Sequence, residues 1–288
     1  MTRALERPRV ASPSRFLGSW SRPLAYAALA GLGAFCVLPF GWIVLAALDP
    51  DAGLYLAVPA QPTLDNYGRF FGDASFVRLL LNSLIYSAGA TVVTTTCCVL
   101  GGYALSRYSF PGRRTLMFGI LLTRIIPVTA TIAPLYLIAL RLGLADTYHG
   151  LILIMAAQHI PLSIWILKGF FDTIPGELEE AAWIDGSGRL GSALRIVLPL
   201  AAPAVAASAL FVFIETWGDF LTPLILIQEP DQFPLSIGLF RAYTGRNLID
   251  WGLLTAVSVV YMLPSLIFYL VVRRYLTRAT VTGALHGA

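Results

Sequence analysis

Charge is what this chain has least of. Only 12% of its 288 residues are Asp, Glu, Lys or Arg, against about 25% in average chains. Of its twenty basic residues nineteen are arginine, and Lys168 is the one lysine. That scarcity excludes a soluble globular domain. Histidine and cysteine are equally sparse, three of each. Cys97 and Cys98 are adjacent and therefore poor disulfide partners, Cys36 stands alone, and no Cys/His spacing suits a metal. The three are read as small packing residues. His149 and His159 are too isolated to serve a nucleophile, which removes intramembrane hydrolysis from consideration. There is no glycine-rich loop ending in Gly-Lys-Ser/Thr, so the chain cannot use ATP by that route. Neither a cofactor of its own nor a nucleic-acid partner is expected.

What is present is apolar sequence, 57% of the residues, in runs long enough to cross a bilayer, which takes about 20 helical residues. Helices satisfy their own backbone groups in lipid. The expected fold is therefore an all-α polytopic membrane protein with six transmembrane helices. The spans are placed at about 24–48, 83–105, 115–140, 151–167, 201–227 and 251–272, the third broken by Pro127 and Pro134, where a kink is expected. Residues 1–23 form a basic leader, 24–272 the six-span domain, and 273–288 a tail. Fourteen of the twenty Arg and Lys residues flank the spans on the side of the two termini, five lie on the other side, and Arg124 falls within a span. The positive-inside rule then puts both termini in the cytoplasm.

One polar interval stands out between the fourth and fifth runs: residues 174–203, IPGELEEAAWIDGSGRLGSALRIVLPLAAP. It predicts a helix, a glycine turn and a second short helix at the membrane surface, on the cytoplasmic side. Pro175 suits the first helical turn, with Asp172 or Thr173 capping ahead of it. Glu177, Glu179 and Glu180 favour the positive end of the helix dipole. Gly186 supplies the left-handed residue that ends the first helix, Ser187 caps the second, and Pro199 stops it.

The register Glu180-Ala181-Ala182, Asp185-Gly186, then Ile196-Val197-Leu198-Pro199 resembles the EAA loop of permease subunits in bacterial ABC importers. The resemblance implies that this stretch is a coupling helix docking into a groove on an ATPase subunit. Asn66-Tyr67, Asn82-Ser83-Leu84, Tyr103 to Arg107, Phe110-Pro111-Gly112 and Pro134-Leu135-Tyr136 are similar to sugar-importer permeases of the maltose type. So is the fifth-span pattern Phe213, Trp217, Asp219, Phe220, Leu221, although Gly218 stands where Asn is common. The tail resembles the family's Gly-Ala-x-Lys-Gly ending, which reaches between the ATPase subunits; here Gly283, His286 and Gly287 occupy it, with His286 in place of the lysine. The family implies a second, distinct permease subunit as heterodimer partner and an ATPase dimer that binds the ATP and magnesium. It also implies an extracytoplasmic solute-binding protein, a bacterial plasma membrane, and a sugar or sugar derivative such as a sugar phosphate as solute. The alternatives are the same importer class for a non-sugar solute, glycerol phosphate or another small polar solute, and, outside that class, a channel or an ATP-independent transporter.

Three ionisable residues fall inside spans: Arg124, Glu215 and Asp219. Each costs about 2.5–3.5 kcal/mol at the bilayer centre by the gentlest scale, so each should face a pathway or a partner. Arg124 lies about nine residues into its span and Glu215 about fourteen, a depth difference of roughly 7–8 Å. Either the two pair, fixing the third span against the fifth, or each meets water separately. Glu215 and Asp219 are four apart and share a helix face, with Trp217 pointing elsewhere. Asp219 and Trp217 are candidates for the translocation path, the alternative being packing against the second permease.

Overall fold

The computed structural model describes residues 21–53, 55, 58–244 and 249–285. Among these there are helices and turns and no strand. Five single helices are long and apolar enough to cross a membrane, and one bent pair makes a sixth candidate. The singles are α1 (Ser21–Ala47), α3 (Ala74–Arg107), α6 (Tyr148–Asp172), α9 (Leu198–Gly218) and α12 (Trp251–Leu285). The bent pair is α4 (Arg113–Leu122), carried on by a single 3-10 turn Thr123–Ile125, and α5 (Val128–Arg141). Shorter helices complete the set: α2 (Asp65–Gly72), α7 (Glu177–Ile184), α8 (Arg189–Ser192), α10 (Leu221–Leu226) and α11 (Leu235–Thr244).

α3 is the axis of the bundle, packed on α6 along its length and on α9. Its α6-facing side is small or weakly polar: Ser87, Ala90, Thr91, Thr94, Cys98 and Gly102 are all buried. Small residues let two backbones approach where lipid offers no hydrophobic drive to join them. At Gly102 an added Cβ would stand 3.2 Å from the backbone nitrogen of Lys168. The Thr94 hydroxyl donates to the Ala156 carbonyl at 3.1 Å, a bond between helices.

Asn82 and Ser83 pin the loop ahead of α11. The Asn82 amide donates to the carbonyls of Asp231 and Phe233 at 2.8 and 3.0 Å, and its oxygen accepts from the Tyr148 hydroxyl at 2.7 Å. The Ser83 hydroxyl oxygen accepts from the Leu235 N–H at 2.8 Å. α1 is different in kind. It lies along α12, yet from Pro23 to Phe40 its residues are exposed and almost all apolar, which suits lipid or a neighbouring subunit.

Several boundaries differ from those expected. The third run is no gently kinked span: its two arms are bent by 103°. The break lies at Ile126-Pro127, both extended, because a proline forces its predecessor out of the helical region. Pro134 is absorbed inside α5. The fifth run ends at Gly218 and restarts as α10, and α12 continues past residue 272 to Leu285. Pro199 does not stop a helix. A single π turn, Ala193–Val197, precedes it, with the Leu198 N–H bonded to the Ala193 carbonyl, and Pro199 sits in the first turn of α9, where its missing N–H costs nothing.

Candidate functional site

Two sites are built at different heights of the bundle. The first is the helix–turn–helix. α6 ends at Asp172, and the Thr173 hydroxyl donates to the Phe170 carbonyl at 2.7 Å. These two residues therefore close α6 and do not cap α7. α7 starts at Glu177 after Gly176, with no side-chain cap, and α8 follows Gly188, so Ser187 caps nothing. Gly186 takes φ +85°. Its N–H meets the Trp183 carbonyl at 3.1 Å and the Ser187 N–H meets the Ala182 carbonyl at 2.9 Å. This is the Schellman pattern, and it satisfies the last carbonyls of α7.

The three glutamates at the start of α7 are not equivalent. Glu179 is 2% exposed. It accepts from the Tyr103 hydroxyl at 2.6 Å and from Nε of Arg107 in a close ion pair. Arg107 then spends its other donors on the carbonyls of Phe171 and Ile174, at 3.1 and 3.0 Å. One guanidinium thus ties the end of α3 to the end of α6, the connecting turn and α7. Glu179 therefore does not belong to an outward acidic face. Ala182, three residues on, is buried as well, while Glu177, Glu180, Ala181, Ile184 and Asp185 are exposed. Trp183 donates from its indole nitrogen to the Ser192 hydroxyl at 2.9 Å, and Arg189 stacks on its ring at 5.4 Å. Those contacts hold α8 against α7. Ile196 is half-buried and Leu198 likewise, leading into α9.

The second site is a polar cavity of about 550 Å³ beside the break between α4 and α5. Arg124 reaches it from the 3-10 turn, Gln158 and His159 from α6, Glu215 from α9 and Asp219 from just beyond α9. The cavity brings Arg124 and Glu215 together, yet they form no ion pair among the described residues. Asp219 lies outside the helix that carries Glu215: its backbone is extended, and its carboxylate accepts from the Thr222 N–H at 3.1 Å. Trp217 does not line this cavity. It is buried, stacks on Phe213 and Tyr261, and donates to the Tyr261 carbonyl at 2.9 Å, while the Tyr261 hydroxyl returns a bond to the Trp217 carbonyl. Trp217 clasps α9 to α12.

Gln158 and His159 are residues that sequence reasoning did not place on this wall. His159, which lines the cavity, is 6% exposed, and its buried Nδ1 has no hydrogen-bond partner among the described residues. Their signal was available: two polar residues interrupt the apolar run of α6. Among the described residues no three His, Cys, Asp or Glu side chains group as a metal site. In the tail Gly283 lies on the last turns of α12, and His286 and Gly287 lie outside the described residues.

Known proteins share this architecture. Residues 98–281 match the family model described as binding-protein-dependent transport system inner membrane component. The trehalose/maltose transport system permease protein of Thermococcus litoralis is 33% identical over 263 residues, covering 89% of this chain and 94% of its own length. The diacetylchitobiose uptake system permease protein of Streptomyces coelicolor is 30% identical over 284 residues, 97% of this chain and 92% of its own. A chain in the crystal structure of a bacterial ABC transporter that imports the acidic polysaccharide alginate superposes with a TM-score of 0.79 at 25% identity, over 90% of this chain and 99% of that one. With a family match across most of its helices and relatives aligned over nearly its full length, the chain belongs to the inner membrane components of binding-protein-dependent transport systems.

Proposed function

We propose that this chain is one of two permease subunits in an ATP-driven importer that receives a sugar or sugar derivative from an extracytoplasmic binding protein. Relatives named for trehalose, maltose and diacetylchitobiose support that solute class, and the distribution of arginine supports cytoplasmic termini. An ATPase dimer, which would bind the ATP and magnesium, grips the α7–α8 turn, and a second permease completes the pathway.

The observation that carries the reading is the division of labour between two consecutive glutamates. Glu179 is locked inward by Tyr103 and Arg107, and Glu180 is exposed. A lever needs both: one face fixed to the spans it must move, the other free to be held. Ala181, Ile184 and Asp185 extend the free face, an apolar and acidic surface suited to a groove with some positive potential. Gly186 fixes the angle at which α8 returns to α9. Motion of the turn passes through Ile196, Leu198 and Pro199 to α9, whose far end bears Glu215 and leads directly into Asp219. Arg124, Glu215 and Asp219 then line the route, polar groups set in an apolar wall as sugar pockets require. The tail residues Gly283, His286 and Gly287 extend the contact with the ATPases.

The test is cysteine cross-linking from Ile184 and Asp185 in the reconstituted importer, paired with Glu180→Lys. Capture of the ATPase subunit at both positions is expected. Glu180→Lys should lower transport at least tenfold while the complex still inserts. Full transport by Glu180→Lys, or uptake that persists when the ATPase is inactivated, overturns the proposal.

A further inference from the structure

A separate cavity stands apart from the α7–α8 turn and from the cavity beside Arg124. It measures about 610 Å³ and opens between the start of α4 and the end of α6. Its position is fixed by chemistry already described, because the α3–α4 turn and Lys168 both lie at the end of the bundle that carries α7. One end of the cavity is cationic: Arg113, Arg114 and Lys168. The other is apolar, with Phe118, Leu121 and Trp165 as wall.

One acid, Asp172, which also lies within electrostatic reach of Arg113, faces these three cations. Lys168 pairs with Asp172 four residues on, an acid that also accepts from Ser106 at 2.7 Å. Arg113 and Arg114 take part in none of the ion pairs among the described residues. Arg114 instead lies over the Phe118 ring at 5.7 Å. Phe118 and Trp165 are 55% and 51% exposed, large flat surfaces left uncovered directly beside two unpaired cations.

We propose that this cavity is a binding site for an anionic glycerophospholipid of the leaflet on the α7 side, its phosphate between Arg113 and Arg114 and an acyl chain along Phe118 and Trp165. The two halves select this occupant. Basic pockets between spans on the cytoplasmic side hold acidic headgroups, and arginine at an apolar helix end presents its charge at headgroup depth while its stem covers hydrocarbon. A soluble anion has no use for the aromatic wall. A zwitterionic lipid brings its own cation into a site that already has two in excess.

The test uses the assembled importer, this chain with its partner permease and ATPase, purified in detergent. It is exchanged against equal phosphatidylglycerol and phosphatidylcholine, and retained lipid is counted by mass spectrometry. Wild type should keep phosphatidylglycerol at least fivefold over phosphatidylcholine, and Arg113→Gln with Arg114→Gln should bring the ratio to one. Trp165→Ala should lower the amount retained and keep the preference. If the double variant does not assemble, each single variant should lower the ratio at least twofold. An unchanged ratio in these variants overturns the site. So does displacement of the lipid by millimolar glycerol phosphate, which would make it a soluble-anion site. Cross-linking of a cysteine at Phe118 to the partner permease instead of to lipid would make it a subunit interface, and overturns it equally.

Discussion

Glu179 and Glu215 are both carboxylates in a chain with little charge, and the molecule treats them in opposite ways. Glu179 is enclosed, met by a phenol and a guanidinium, and its partner Arg107 is in turn saturated by carbonyls. Glu215 is exposed on a cavity that Arg124 and the buried His159 also line, and none of the three has a side-chain hydrogen bond or ion pair among the described residues. The first arrangement joins elements that have to move as one body. The second leaves polar groups uncommitted, as the solute route proposed above requires.

Breaking the enclosed pair should have the largest effect. Leaving one buried charge without its partner costs about 3–5 kcal/mol, whereas replacing both by apolar groups is often neutral. Glu179→Leu and Arg107→Leu are each expected to lower the unfolding midpoint of the assembled importer sharply. The double variant should recover most of the loss while hydrolysing ATP without matching transport. Thermal unfolding and the ratio of transport to hydrolysis measure the two parts, and strictly additive losses would show that the pair is no unit.

Gly186→Ala comes next. A side chain at φ +85° costs about 1–2 kcal/mol, and the strain falls on the turn between α7 and α8. Asp250 is intermediate in kind, a partly exposed carboxylate that accepts from Arg69 at 2.5 Å and from the Leu253 N–H at 3.0 Å. Burial pushes its pKa up, but Arg69 and that N–H outweigh burial and hold it below the usual 3.8. Its contribution is therefore complete above the ordinary value and disappears as the pH falls through the lower folded value. With both side chains about half exposed, screening limits it to about 1 kcal/mol. Asp250→Asn should flatten that acid limb of the stability profile and leave neutral pH nearly unchanged.

Glu215→Gln should barely register in stability, within about 0.5 kcal/mol as for substitutions away from packed features, and yet reduce transport severalfold. A large loss of stability there would mean that the cavity is held together by Glu215, and the contrast with Glu179 would collapse.

The sequence showed the class of fold, the apolar runs and the glycine turn, because those are local: hydropathy is a property of a window, and Gly186 acts on its own backbone. The residues of the EAA register were legible as a pattern. What could not be read was the direction in which each one faces. Glu179 and Glu180 are indistinguishable as neighbours in a string, and only the arrival of Tyr103 and Arg107 from some seventy residues earlier separates them. Trp217 and Asp219 differ for another reason: the apolar run there predicts one continuous helix, but α9 ends between them at Gly218, so Trp217 clasps α9 to α12 while Asp219 lines the cavity and accepts from the Thr222 N–H. The right-angled break at Ile126-Pro127 looked like a kink because a proline marks where a helix is weakened and says nothing about how far the arms swing.

The π turn at Ala193–Val197 holds one residue more than the ordinary winding around it, and in an α-helix each residue subtends about 100°. A π turn closes one revolution with that extra residue inside it, so excising a single codon there would let the stretch wind regularly and leave the surface ahead of it aimed as before. A codon removed from the regular winding of α9 would instead turn that surface by about 100° about the α9 axis and aim it at a different neighbour. The surplus residue at Ala193–Val197 is slack in the chain, and the register of the flanking helix is where the aim is kept.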